Sequence, residues 1–142
     1  MPSATVIAPV VDELRPNSGD YNNIAWNALL SGKDLDRALE DARQAMQNGG
    51  GSALLHTLAS LYAETGKSLE AREALLKSMD DAGRDEPAPH DWYVLGRIAE
   101  NYGATDAALA AYKRVDKPKE SIASSTWVLA ERRLKSLGVR RP

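Results

Sequence analysis

The sequence predicts an all-α fold, a right-handed superhelical stack of three helix pairs followed by a C-terminal capping helix. Three observations lead there. Apolar residues recur at i, i+3, i+4 and i+7 in three separate stretches, the period that keeps one helix face toward a core. Each stretch ends at a glycine (Gly32, Gly66, Gly103), and a second amphipathic run follows whose buried face opens with an alanine (Ala38, Ala71, Ala108). Those alanines stand 33 and then 37 residues apart, and self-similarity at such a period is the signature of stacked helical repeats. A chain of 142 residues holds one core of this kind, burying about two-thirds of its unfolded surface, and is too short for two.

The elements follow in order. In segment 1–19 an apolar run from Val6 to Val11 is broken by Pro9 and lacks a basic flank, so it reads as neither signal peptide nor membrane span. The stretch "DELRPNSGDYNNIAW" resembles the seam between two repeats, and the expectation is that segment 1–19 is the remnant of a preceding repeat. The repeat domain covers 20–137. Its first pair, 20–48, presents Tyr21, Ile24, Ala25 and Ala28, then Ala38, Ala42 and Ala45. Gly49, Gly50 and Gly51 turn the chain toward Ser52, which caps the next helix. The second pair, 52–82, repeats the pattern with Leu55, Leu58, Ala59 and Tyr62, then Ala71, Leu75 and Ser78. The surplus in the longer period lies in "DDAGRDEPAPH", where Gly83, Pro87 and Pro89 mark an extended loop. The third pair, 90–116, has Trp92, Leu95, Gly96 and Ala99, then Ala108, Tyr112 and Val115. Asp34, Ser68 and Thr105 are placed to cap the three second helices. A capping helix over 122–137 turns Trp127, Ala130 and Leu134 inward and Arg132, Arg133 and Lys135 to solvent, as the end of a stack requires. A tail, 138–142, completes the chain.

The spacing W-x2-L-G followed by G-x4-A-x3-aromatic resembles the tetratricopeptide repeat, a helix-turn-helix unit of about 34 residues. The third pair is closest, with Trp92, Leu95, Gly96, Ala108 and Tyr112 in matching places, although Ala99 stands where the family prefers tyrosine. The second pair keeps Leu58, Tyr62, Gly66, Ala71 and Leu75 but has Leu55 for the tryptophan and Ala59 for the glycine. The first pair matches only with one extra residue in "SGKDLDRA". By that resemblance Ala25, Ala59 and Gly96 let paired helices approach, and the bulky Trp92 or Tyr62 fills the wedge between pairs. A weaker resemblance links "NNIAWNALLSGK" and "HTLASLYAETGKSLEAREALL" to C-terminal repeat segments of large bacterial proteins with a transglutaminase-like domain. That reaction uses a cysteine nucleophile, and the chain contains no cysteine.

Chemistry finds little support in the residues. Without cysteine there are no disulfides and no thiolate sites, a composition compatible with either redox compartment; with no leader or span, a cytoplasmic location is the default expectation. Eighteen basic and twenty acidic residues give a formal net charge of −2, which supplies no field for a phosphate backbone or an anionic membrane. The basic run from Arg132 to Arg141 reads as a solvated face. "TGKS" at 65–68 lacks the glycine of a phosphate loop, because Leu61 stands in its place. The two histidines, His56 and His90, have no partner at i+4 and read as surface residues, so no metal is expected. Neither a cofactor motif nor a catalytic set emerges.

What the stacking leaves over is the inner face of the first helices. In this register it carries Asn22, Trp26, Leu29, His56, Ser60, Ala63, Tyr93, Arg97 and Glu100, with Asn101 beside them. The clamp by which some tetratricopeptide domains hold a terminal carboxylate is not matched, since Asn22, Trp26 and Val94 fall among the equivalent places. The sequence thus predicts a non-catalytic scaffold that binds a protein or peptide through this groove, with Tyr93 and Arg97 as its foremost contacts. The alternatives are an accessory segment of a larger enzyme and a module that self-associates through an apolar N-terminal end bearing Trp26, Leu29 and Leu30.

Overall fold

A computed structural model describes residues 18–49, 52–115 and 126–138. Among the described residues the protein is all-helical, with seven helices: α1 (Ser18–Ser31), α2 (Leu35–Gln47), α3 (Ser52–Glu64), α4 (Ser68–Asp81), α5 (Asp91–Asn101), α6 (Thr105–Lys113) and α7 (Thr126–Ser136). Segment 1–17, the Gly50–Gly51 part of the first inter-pair turn, and the start of the expected capping helix at 122–125 lie outside the described residues.

Helices adjacent in sequence pack against one another. α1 lies against α2, α3 against α4 and α5 against α6; α2 and α4 also touch the first helix of the following pair. Successive first helices α1, α3, α5 and α7 are in contact, and α7 packs on α6 as well. The alanine-led stripes are buried in all three second helices, as are Ser78 in α4 and Val115, two residues past the end of α6.

Turns between paired helices are built on glycine. At Gly66 and Gly103 φ is 79°, and the N–H groups of Lys67 and Ala104 reach back to the carbonyls of Tyr62 and Ala99 at 2.8 and 2.9 Å. These are Schellman endings, which need a left-handed residue at the turn. The helix starts differ from expectation. Ser68 and Thr105 are the first residues of their helices, Asp34 sits in a left-handed conformation with φ 58°, and none of the second helices receives a side-chain cap. The tight glycine turn enters the next helix within two or three residues, so backbone geometry rather than a capping oxygen sets the boundary.

Gly96 meets the expectation of close approach most directly. A Cβ built there would stand 2.4 Å from Tyr112 Cε1 and 2.6 Å from Cδ1, so α5 and α6 touch backbone to ring. Its counterparts Ala25 and Ala59 are likewise buried. α3 is the centre of the molecule: every residue from Leu54 to Leu61 is buried, as expected for a helix with neighbours on all sides.

Candidate functional site

The inner face is where the structure departs most from the sequence expectation. Tyr93 and Trp92 exchange roles: Tyr93 is 1% exposed, whereas Trp92 is only half-buried and has the Arg114 guanidinium 4.5 Å above its ring. The reason lies in the partners. Tyr93 places its ring 5.9 Å from that of Tyr112 and donates its hydroxyl to Glu64, so both its apolar body and its polar tip are satisfied inside.

Around Tyr93 the expected groove residues form a closed ionic network. Arg97 Nε lies 3.1 Å from Glu64 Oε1, and Arg97 Nη1 lies 3.1 Å from Glu100 Oε2. Tyr112 donates its hydroxyl to Glu100 at 2.8 Å. Arg133 of α7 grips the same carboxylate with two nitrogens, Nε at 3.0 Å from Oε1 and Nη2 on Oε2, the bidentate geometry that makes arginine–carboxylate pairs strong. Desolvation pushes the Glu100 carboxyl up, but the hydrogen bonds from Arg133 and Tyr112 and the charge of Arg97 outweigh it and hold it below the usual range. Burial and the neighbouring Glu64 carboxylate push the Tyr93 phenol well up, so it stays a neutral donor.

The remaining candidates fall in or beside a second cluster. His56 and Ser60, expected on an open face, are buried; Ser60 bonds back to the His56 carbonyl at 3.1 Å. Asn22 accepts a hydrogen bond from Thr57, and Trp26 is half-buried with its ring stacked 6.4 Å from that of His56. Leu29 and Ala63 are buried as well. Asn101, on the exposed rim, donates to the Ala63 carbonyl at 2.9 Å and to Ser68 Oγ at 3.2 Å. Of the two histidines expected at the surface, His90 is exposed and His56 is buried; 34 residues apart, they meet with ring centroids 4.5 Å apart. Beside them Asp91 is fully buried, its Oδ2 held by the Ala88 N–H at 2.8 Å and by Arg84. Burial and the adjacent His90 lower the His56 pKa to about 4, with Asp91 opposing them, so His56 is neutral near pH 7.

α7 is also more than an outward-charged lid. Leu129, Ala130 and Leu134 are buried and Trp127 is half-buried, while Arg132 reaches across to the Leu30 carbonyl of α1 at 2.7 Å. The helix expected to cap the chain packs on α5 and α6 and also reaches α1 through this hydrogen bond. Of the N-terminal apolar residues expected to be exposed, Leu29 is buried and Trp26 and Leu30 are half-buried; Ile24, expected on the packing face with Ala25 and Ala28, is instead 43% exposed. It edges a depression of about 700 Å³ lined also by Asn27, Leu30, Arg37 and Asp41.

Sequence reasoning missed Glu64, Arg84, Asp91 and the inward role of Arg133. The ionic network does have a signature, since Glu64 and Glu100 stand 36 residues apart and so do Arg97 and Arg133. Opposite charges recurring at the repeat period mark inter-repeat pairs. Compared with known proteins, the chain matches no family model, and no curated protein or solved structure shows significant similarity to it. Among the described residues no helix is long and apolar enough to cross a membrane.

Proposed function

We propose that the chain is a non-catalytic helical-repeat module of tetratricopeptide type, stacked as a right-handed superhelix, whose inner face binds a protein or peptide helix. The observation that carries this reading is the seating of α7. Its Arg133 closes on Glu100, Arg132 on the Leu30 carbonyl, and Leu129 and Leu134 enter the same core as Leu29, Leu58 and Tyr93. An amphipathic helix with paired arginines beside an apolar stripe is thus already held, by α5 and α6 with a reach to α1, in the manner of helix-in-groove recognition. The contact of Gly96 with Tyr112 and the glycine turns at the repeat period support the repeat architecture.

On this reading the ligand class is a basic amphipathic helix resembling α7, which competes with it for Glu100. A labelled synthetic peptide covering 122–138 tests this by fluorescence anisotropy. It should bind an Arg133→Ala, Leu134→Ala double variant more tightly than the parent chain, and Glu100→Gln should abolish the gain. Equal, weak binding by all three proteins would refute the assignment. Self-association is the second reading, favoured by the exposure of Ile24 at the edge of the α1–α2 depression.

A further inference from the structure

We propose that His56, His90 and Asp91 form a binding site for a divalent transition metal, zinc being the ion their donor set suits, with a remaining coordination position open to water. The three residues come from α3, from the loop before α5 and from the first residue of α5. Each offers one ligand atom, and these atoms all lie within 4.8 Å of one another. Asp91 Oδ1 is 3.6 Å from His56 Nε2 and 3.4 Å from His90 Nε2. Ligands about 2.0 to 2.2 Å from a tetrahedral zinc are themselves about 3.3 to 3.6 Å apart, so two edges of the polyhedron already have the required length.

The carboxylate gives an independent reason. Asp91 Oδ1 is buried and accepts no hydrogen bond, although buried polar atoms are otherwise almost always paired. Its sister oxygen is fixed by the Ala88 N–H and by Arg84, the outer contacts that commonly orient a ligating carboxylate. The unpaired oxygen faces the two imidazoles. Two nitrogens and one oxygen favour zinc, copper or nickel, whereas magnesium and calcium need several more oxygens.

His56 requires one rearrangement. Its Nε2 lies 3.2 Å from the His90 carbonyl, so in the metal-free ring Nε2–H donates there. Metal binding moves that proton to Nδ1 and frees the Nε2 lone pair, with no net change in the proton count of the neutral imidazole. Arg84 on Oδ2 subtracts from the site's negative charge and so lowers its affinity for a cation. His90, with half of its side chain exposed, gives the ion access from solvent. The bound metal would then tie the second pair to the third.

The test uses the tag-free full chain titrated with zinc chloride by calorimetry. One ion per chain is expected, and cobalt should give the visible absorption of a four- or five-coordinate site. Copper or nickel should quench Trp26, whose ring stacks on His56. His90→Ala and Asp91→Asn should each weaken zinc binding by at least about tenfold, the lower bound seen when even an outer contact of a metal site is removed. His90 is half exposed, so His90→Ala retains the fold, as circular dichroism would verify, and carries the test alone where Asp91→Asn does not fold. Absence of saturable binding up to about 1 mM zinc, or binding unchanged in His90→Ala, would overturn the proposal.

Discussion

Replacing Gly96 by alanine sets two known effects against each other. Alanine is the better helix former by about 1 kcal/mol at an interior position, and Gly96 lies in the middle of α5. The added methyl, however, would stand 2.4 and 2.6 Å from two ring carbons of Tyr112, about 1 Å inside ordinary contact. That ring has nowhere to go: Tyr112 is fully buried, its hydroxyl is held by Glu100 at 2.8 Å, and its face meets Tyr93. Overpacking of this kind costs about 1 to 3 kcal/mol, and the pinned ring places Gly96 at the upper end. The net expectation is destabilisation by about 1 to 2 kcal/mol, read as a lowered urea midpoint at unchanged slope. In a Tyr112→Leu background the steric cost disappears, and the same substitution should be neutral or stabilising by up to about 1 kcal/mol. A Gly96→Ala chain at least as stable as its parent would refute the close approach of α5 and α6, and with it the reason for a glycine at this point of the repeat.

The exchange of roles on α5 predicts that Tyr93→Ala costs about 3 to 5 kcal/mol and Trp92→Ala clearly less, about 1 to 2; equal denaturant midpoints would restore the sequence register. For pH, the folded pKa of His56, about 4, lies below its unfolded value of about 6.5. The unfolded chain therefore binds the proton first, and the contribution of neutral His56 is fully present above about pH 6.5 and is lost as pH falls toward 4. Between pH 7 and 5 the loss is about 2 kcal/mol, set by a site that His90, Asp91 and Arg84 also face. His56→Gln should flatten that part of the profile, and an unchanged slope would dissociate it from His56. Glu100→Gln leaves Arg133 without its anion and should destabilise by about 1 to 3 kcal/mol after allowance for partial solvent access, seen as faster amide exchange over 126–136; protection retained there would show that α7 is held by apolar contacts alone. Ile24→Ser should lower any concentration-dependent association in sedimentation without changing helicity, and an unaltered association would exclude the α1–α2 face.

The elements themselves were legible because they depend on short-range rules. The 3.6-residue period, the glycine turns at Gly66 and Gly103, and the alanine-led stripes of α2, α4 and α6 each rest on residues within a single helix pair. What failed depended on distance along the chain. The sequence register of α5 rests on Trp92, the largest apolar side chain, but Tyr93 has the hydroxyl acceptor at Glu64 that makes complete burial tolerable, and nothing local to Trp92 signals that. His56 and His90 read as isolated because metal-face reasoning looks one helix turn ahead, whereas the repeat period brings them together from 34 residues apart. Composition alone points Arg133 outward, and only the placement of α7 against α5 supplies its carboxylate. The partners that Tyr93, Arg97 and Glu100 find inside the chain come from other helices, so their enclosure is not written in any one segment.

That enclosure has a consequence for recognition. Each polar group expected to greet a ligand at Tyr93, Arg97 and Glu100 already has a partner inside the chain, so a ligand gains only the difference between its own contacts and those it displaces. Should α7 be docked by about 2 kcal/mol, its face is free about 3% of the time, and the apparent affinity of a competing helix falls about thirtyfold below its intrinsic value. Weak binding by the intact chain is then compatible with a well-formed site. The discriminating quantity is how far affinity rises when Arg133 is removed, because loosening α7 changes the free fraction while leaving Glu100, Arg97 and Tyr93 in place for the incoming helix.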